Sequence, residues 1–188
     1  MSIQTARDPT VMHGMSLLTE HDIYLFRQGT HARLYDKLGA HPRTIKGVSG
    51  TQFAVWAPNA EAISVVGDFN GWNPESHFLQ VRADGSGIWE GFIPGVIPGA
   101  LYKYHLRSRI NGYRVDKADP FAFYAETPPR TASVVADLAF DWKDQTWMRE
   151  RAQANALDRP MSIYELHLGS WRRVPEDQQR SLGYREAA

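Results

Sequence analysis

From Thr51 onward the apolar residues of this chain come in runs of four to eight separated by turn-forming residues, which is the signature of short strands rather than of helices. Phe53 and Val55 alternate with Ala54 and Trp56, and Pro58-Asn59 then turns the chain. Residues 63–66, 78–81 and 88–93 continue the pattern, with a turn at 83–87. In residues 100–108, Tyr102, Tyr104 and Leu106 face one way while Lys103, His105 and Arg107 face the other, as in a half-buried strand. Asn111-Gly112 is a strong two-residue hairpin signal, and residues 132–136 can supply a last strand. Several short strands with little helix between them predict an immunoglobulin-like β-sandwich of ~100 residues.

The flanks read differently. Residues 1–15 show no periodicity and predict a loose tail. Thr19, with Asp22 three residues on and Gly29 as a stop, predicts one short helix, and Thr30 with Gly39 predicts a second over residues 31–38. Residues 141–160 are polar and helix-compatible, residues 161–168 read as a buried strand, and residues 181–188 open a helical pattern. The expected organisation is a tail (1–15), a helical arm (16–40), the sandwich (41–138), a linker (139–160) and a further unit (161–188).

Charge narrows the class of partner. Lys plus Arg number 21, as do Asp plus Glu, and no basic run exceeds Arg172-Arg173. Attraction to nucleic acid or to an anionic membrane through net charge is therefore not expected, and a neutral partner fits better. With no cysteine, neither a disulfide framework nor a thiolate metal site is possible, and a reducing cytoplasm is the expected home. The opening residues contain no apolar core of a secretion signal, and the apolar runs fall short of the ~20 residues that cross a bilayer. The histidines are too widely spaced for a zinc site, and no glycine loop of phosphate-binding type occurs, so no metal or cofactor is expected.

Gly-Asp-Phe-Asn-Gly-Trp-Asn-Pro at 67–74 sets a large ring among small, turn-forming residues that cannot cover an indole. Such a ring offers an apolar face with a polar edge, matching a sugar whose axial C–H face is apolar and whose rim is hydroxyl. The alternative is that Trp72 folds back to cap the core. Phe69, of opposite parity, is the better core candidate, and Trp89 beside Phe92 also reads as core.

Phe-Ala-Val-Trp-Ala-Pro-Asn-Ala at 53–60, followed by Val-Val-Gly-Asp-Phe-Asn-Gly-Trp at 65–72, resembles the starch- and glycogen-associated β-sandwich of the α-amylase superfamily. Leu-Tyr-Asp-Lys-Leu-Gly-Ala-His-Pro at 34–42 and Ser-Ile-Tyr-Glu-Leu-His-Leu-Gly-Ser-Trp-Arg-Arg at 162–173 are similar to the bacterial 1,4-α-glucan branching enzymes. Debranching and trehalose-forming relatives share the Tyr-Glu-x-His core of the last motif but typically lack its Leu-Gly-Ser-Trp continuation.

The resemblance implies the N-terminal portion of such an enzyme, one that moves an α-1,4 glucan chain to a 6-hydroxyl. Its catalytic (β/α)8 barrel takes ~250 residues, so residues 161–188 would be only its start. The family's catalytic carboxylates belong to later strands, no matching motif occurs here, and this chain alone is expected to be inactive. Tyr164, Glu165 and His167 read as packing and hydrogen-bonding residues. In glycogen-binding relatives a loop tryptophan stacks on glucose, a strand lysine binds hydroxyls and a second aromatic follows a hairpin. Trp72 and Lys103 match the first two, and Tyr113 stands at the third without being a tryptophan. Lys103 can equally be a solvated strand residue. The implied partners are α-glucan, as glycogen or maltooligosaccharide, and the rest of the barrel. The alternative is a stand-alone glycogen-binding module without catalysis.

Overall fold

The computed structural model describes residues 10–188. They divide into two compact units, one ending at Ala139 and one starting at Phe140.

The first unit is mainly β and antiparallel. One sheet contains β1 (Gly39–Ile45), β2 (Val48–Trp56), β4 (Gln80–Val81) and β5 (Ile88–Pro94) in the order β1-β2-β5-β4. The other contains β3 (Ala60–Gly67), β6 (Leu101–Ser108), β8 (Tyr124–Ala125) and β9 (Ser133–Val134) in the order β3-β6-β9-β8, with β7 (Arg114–Lys117) also paired to β6. Alternation along each strand sends one set of side chains inward. Phe53, Val55, Trp89 and Ile93 of the first sheet thus meet Ile63, Val65, Tyr102 and Tyr104 of the second in one buried cluster. The ring of Phe53 stands edge-on to Tyr102 at 5.1 Å between centroids. Each such buried side chain contributes about 1.5–3 kcal/mol.

The tyrosines in this core carry hydroxyls that need acceptors. Asp119 supplies one: its Oδ2 accepts from Tyr102 at 2.7 Å and Tyr104 at 3.1 Å, and its Oδ1 accepts the Phe121 N–H at 2.8 Å. Burial raises the Asp119 carboxyl above its ordinary value despite these donors.

Helix α1 (Glu20–Gln28) starts where the sequence predicts. Thr19 and Asp22 cap each other's backbone N–H, and the Gly29 N–H returns to Phe26. Burial would raise Asp22, but hydrogen bonds from the Thr19 backbone, the Thr19 hydroxyl, His31 and Lys37 outweigh it and hold the carboxyl well below the usual range.

The second helix expected at 31–38 is reduced to one 3-10 turn, Leu34–Asp36. His31 is drawn to Asp22 at 2.8 Å, and Gly39 already begins β1. One turn suffices to aim Leu34 and Leu38, with Leu18, Ile23 and Phe26, onto Ala54 and Ile88, on the back of the first sheet. The tail also differs from expectation. Residues 1–9 lie outside the described residues, but Met12 exchanges two backbone hydrogen bonds with Phe92, at 2.8 and 2.9 Å, and Val11 is buried. Val11 fits because Gly91 has no side chain: a Cβ there would meet Val11 at 2.7 Å.

The second unit contains α2 (Gln145–Ala154), α3 (Leu168–Trp171), a two-stranded ribbon of β10 (Arg173–Val174) and β11 (Arg180–Ser181), and α4 (Tyr184–Ala187). The strand expected at 161–168 does not form, and Met161, Ile163 and Tyr164 are exposed. A strand must pair its N–H and C=O groups with a neighbour, and among the described residues none pairs with this segment.

Candidate functional site

The Trp72 loop begins where β3 ends. Gly67 lets the chain pass close to β6, since a Cβ there would lie 2.2 Å from the Leu101 carbonyl oxygen. A 3-10 turn, Asp68–Asn70, follows. Asn70 organises it: its Oδ1 accepts the Gly67 N–H at 2.9 Å and its Nδ2 donates to the Val65 carbonyl at 3.0 Å. The Asp68 carboxylate accepts the Leu101 N–H at 3.2 Å and ties the turn to β6.

Trp72 then sits at φ 60°, a left-handed conformation uncommon for a bulky residue, while its N–H donates to Gly67 at 2.8 Å. The ring is 40% exposed, so it does not cap the core, whereas Phe69 turns inward and packs on it. Beyond Trp72 the chain runs back along β3. The Ser64 hydroxyl donates to Pro74 at 2.7 Å, and the Val65 N–H donates to His77 at 3.0 Å. Glu75 reaches Arg114 at 3.6 Å.

Lys103 lies opposite Val66 in the β3–β6 ribbon, so it leaves the same end as the Trp72 loop. It is half-buried on the face away from the buried Tyr102 and Tyr104. Its ammonium donates to the Thr131 hydroxyl at 2.9 Å, which fixes the head and leaves two donors. Farther along this face, His105 pairs with Asp116 at 2.7 Å and Arg107 with Glu61 at 3.2 Å.

Tyr113 stands elsewhere. Asn111 and Gly112, at φ 59° and 60°, do lie in the turn, but the connection runs over four residues, 109–112, rather than the expected two: Arg107 pairs with Arg114, and the Tyr113 carbonyl accepts the Ser108 N–H at 2.8 Å. Ser108 pairs with Ala60 at the far end of β3. Tyr113 is therefore about five strand residues, or ~17 Å, from Lys103. The structure brings Trp72 and Lys103 to one end of the ribbon and leaves Tyr113, 61% exposed, at the other. A long hairpin is the reason: β7 pairs with β6 through four residues before the turn.

Thr131 and Asn70 are site residues that sequence reasoning missed. Nothing local marks Thr131, which reaches Lys103 only through the β6–β9 pairing. Asn70 carried a readable signal, since an asparagine in a turn is suited to bonding nearby backbone.

Glu165 and His167 form no pair: the His167 Nδ1 is 2.7 Å from the Ser170 hydroxyl, and Glu165 is exposed. Among the described residues no group of three or more His, Cys, Asp or Glu is placed to hold a metal ion, and no helix is long and apolar enough to cross a membrane.

Residues 37–122 match Carbohydrate-binding module 48 (Isoamylase N-terminal domain). The 1,4-alpha-glucan branching enzyme GlgB of Albidiferax ferrireducens is 58% identical over 170 residues, covering 90% of this chain and 26% of that protein. The enzyme of the same name from Aquifex aeolicus is 51% identical over 177 residues, covering 94% and 28%. That of Aromatoleum aromaticum is 54% identical over 181 residues, covering 96% and 27%. The chain thus spans about a quarter of the length of these relatives. Residues 37–122 belong to the carbohydrate-binding module 48 family, and nine-tenths or more of the chain is similar to about a quarter of the length of 1,4-alpha-glucan branching enzymes.

Proposed function

We propose that this segment holds α-glucan at the Trp72–Lys103 end of the β3–β6 ribbon and guides it toward a catalytic barrel that lies mostly outside these residues. The observation that carries the reading is an exposed indole on a loop whose backbone is tied down by Asn70, Asp68 and Ser64. A ring held this way loses little further freedom when a sugar stacks on it, and the nearby lysine supplies donors to hydroxyls. One aromatic contact adds only about 0.5–1.5 kcal/mol beyond area burial. A single site should therefore bind weakly, with affinity for a branched polymer rising by repeated engagement.

In this reading the first unit is an immunoglobulin-like sandwich, α1 belongs to a helical arm that precedes it, and residues 161–188 begin the (β/α)8 barrel. The parent enzyme would cleave an α-1,4 bond and rejoin the chain to a 6-hydroxyl in the cytoplasm, with retention. That chemistry needs two carboxyl groups flanking the bond, and those would come from the rest of the barrel.

Affinity electrophoresis through glycogen-containing gels tests the binding claim. Retardation of the intact chain that Trp72→Ala abolishes supports it, and equal mobility with and without glycogen contradicts it. New α-1,6 linkages made by the purified chain would contradict its proposed inactivity.

A further inference from the structure

We infer that the opposite end of the β3–β6 ribbon carries a second α-glucan subsite, built on Trp56 and Tyr113 and separate from Trp72. The ligand class rests on the α-glucan reading proposed above, whereas the site itself rests on its own geometry.

A trough of about 320 Å3 opens there between the β2–β3 connection and the β6–β7 hairpin, lined by Trp56, Pro58, Asn59, Leu106, Tyr113 and Val115 among others. That volume is at the low end of small-ligand sites, about 300–1,000 Å3. Trp56 is 54% exposed, yet its ring is fixed from two sides. Its Nε1 donates to the Ser86 carbonyl at 3.0 Å, and Phe26 meets the ring edge-on at 5.9 Å between centroids.

The floor and rim are braced as well. The Trp89 Nε1 donates to the Ala57 carbonyl at 3.1 Å, the Ala57 N–H donates to Gly87 at 3.0 Å, and the Arg109 N–H donates to Asn59 at 3.1 Å. The hairpin turn then presents Tyr113 from the facing wall. Both aromatic residues are thus set on fixed backbone before any ligand arrives, which lowers the entropy lost on binding.

The chemistry of the lining selects the ligand. No lining residue carries a charge at neutral pH, so neither an anionic nor a cationic ligand is favoured. Polar groups remain at the rim: among the described residues the Asn59 amide and the Tyr113 hydroxyl have no protein partner, leaving donors and acceptors for hydroxyls. Apolar ring faces with a few amide and hydroxyl groups at the edge suit a glucosyl unit.

A proline-rich peptide also docks in aromatic-lined grooves. Its carbonyls, however, need donors, and the indole N–H of Trp56 is already committed to Ser86. What Trp56 offers outward is ring surface, which favours the sugar.

Titration of the isotopically labelled full chain with maltoheptaose, followed by amide and indole NMR shifts, tests the inference. The expected result is saturable movement of the Trp56 indole and Tyr113 amide signals. Tyr113→Ala, at an exposed hairpin position, should weaken the Trp56 response roughly tenfold while the Trp72 response stays unchanged. Trp72→Ala should leave the Trp56 and Tyr113 responses intact.

Movement at Trp72 alone would overturn the second subsite and leave the first reading standing. Movement at Trp56 and Tyr113 but not Trp72 would do the reverse. Silence at all three would remove both. Shifts of Trp56 and Tyr113 with a proline-rich peptide but not with maltoheptaose would also overturn the sugar assignment. The wild-type titration decides these outcomes without any variant.

Discussion

The Trp72 loop and residues 161–166 both expose large apolar side chains, but only the loop has a braced backbone. Asn70, Asp68, Ser64 and His77 tie the loop to β3 and β6 at five or more points. Residues 161–166 join no element, and Ile163 is 84% exposed against 40% for Trp72. The lesson is that exposure marks a surface without defining a site. A ring becomes a contact for ligand when the chain beneath it is held.

The largest test of this contrast is Gly67→Ala. A Cβ would meet the Leu101 carbonyl oxygen at 2.2 Å and the Phe69 ring at 2.4 Å. A cost of about 3 kcal/mol in urea unfolding is expected from such overpacking, against a change within about 0.5 kcal/mol for Ile163→Ser on the unbraced segment. Equal effects would erase the distinction.

Asn70→Ala sharpens it. Removing the side chain leaves the Gly67 N–H and the Val65 carbonyl without these partners. About 2 kcal/mol should be lost, and hydrogen exchange should quicken across residues 67–77. Unchanged exchange there would mean that the loop is held by something else.

A smaller, pH-dependent effect comes from the core beneath. Burial raises Asp119 above its ordinary value of 3.8, so the folded chain binds this proton more tightly than the unfolded one. Its contribution is full below that ordinary value and is lost as pH rises through the folded one. Asp119→Asn should remove this falling component from a series of urea midpoints measured at increasing pH. An unaltered pH profile would contradict it.

Lys103→Ala should have the smallest effect. Its contact with Thr131 is exposed, so stability should move by less than about 0.5 kcal/mol, while glycan binding should fall a few-fold. No fall would leave Trp72 without its proposed companion.

Much of the sandwich is legible in the sequence because period-two alternation and paired turn residues are local signals. Tyr102 and Tyr104 are core as their parity requires, and Trp89 is core as its strand with Phe92 suggests. β1 carries no comparable signal because its turn to β2 uses Lys46-Gly47, both at positive φ, in place of an asparagine or aspartate with glycine. Residues 161–168 read as a strand from apolar content, but pairing is a non-local property that composition does not encode. The site was half legible for the same reason. Trp72 can be named from its loop and Lys103 only from the family resemblance, since parity does no more than place it on the outward face. The distance between Lys103 and Tyr113 depends on hairpin length, and Thr131 arrives from the irregular segment just before β9, 28 residues along the chain.

The most direct test of the central claim is calorimetric titration of maltoheptaose into the intact chain and into Trp72→Ala at equal folded fraction. Weak saturable binding that falls about tenfold in the variant, with its melting temperature unchanged, is the predicted result. Identical binding by the two proteins would contradict the claim that the braced indole is where glucan is held.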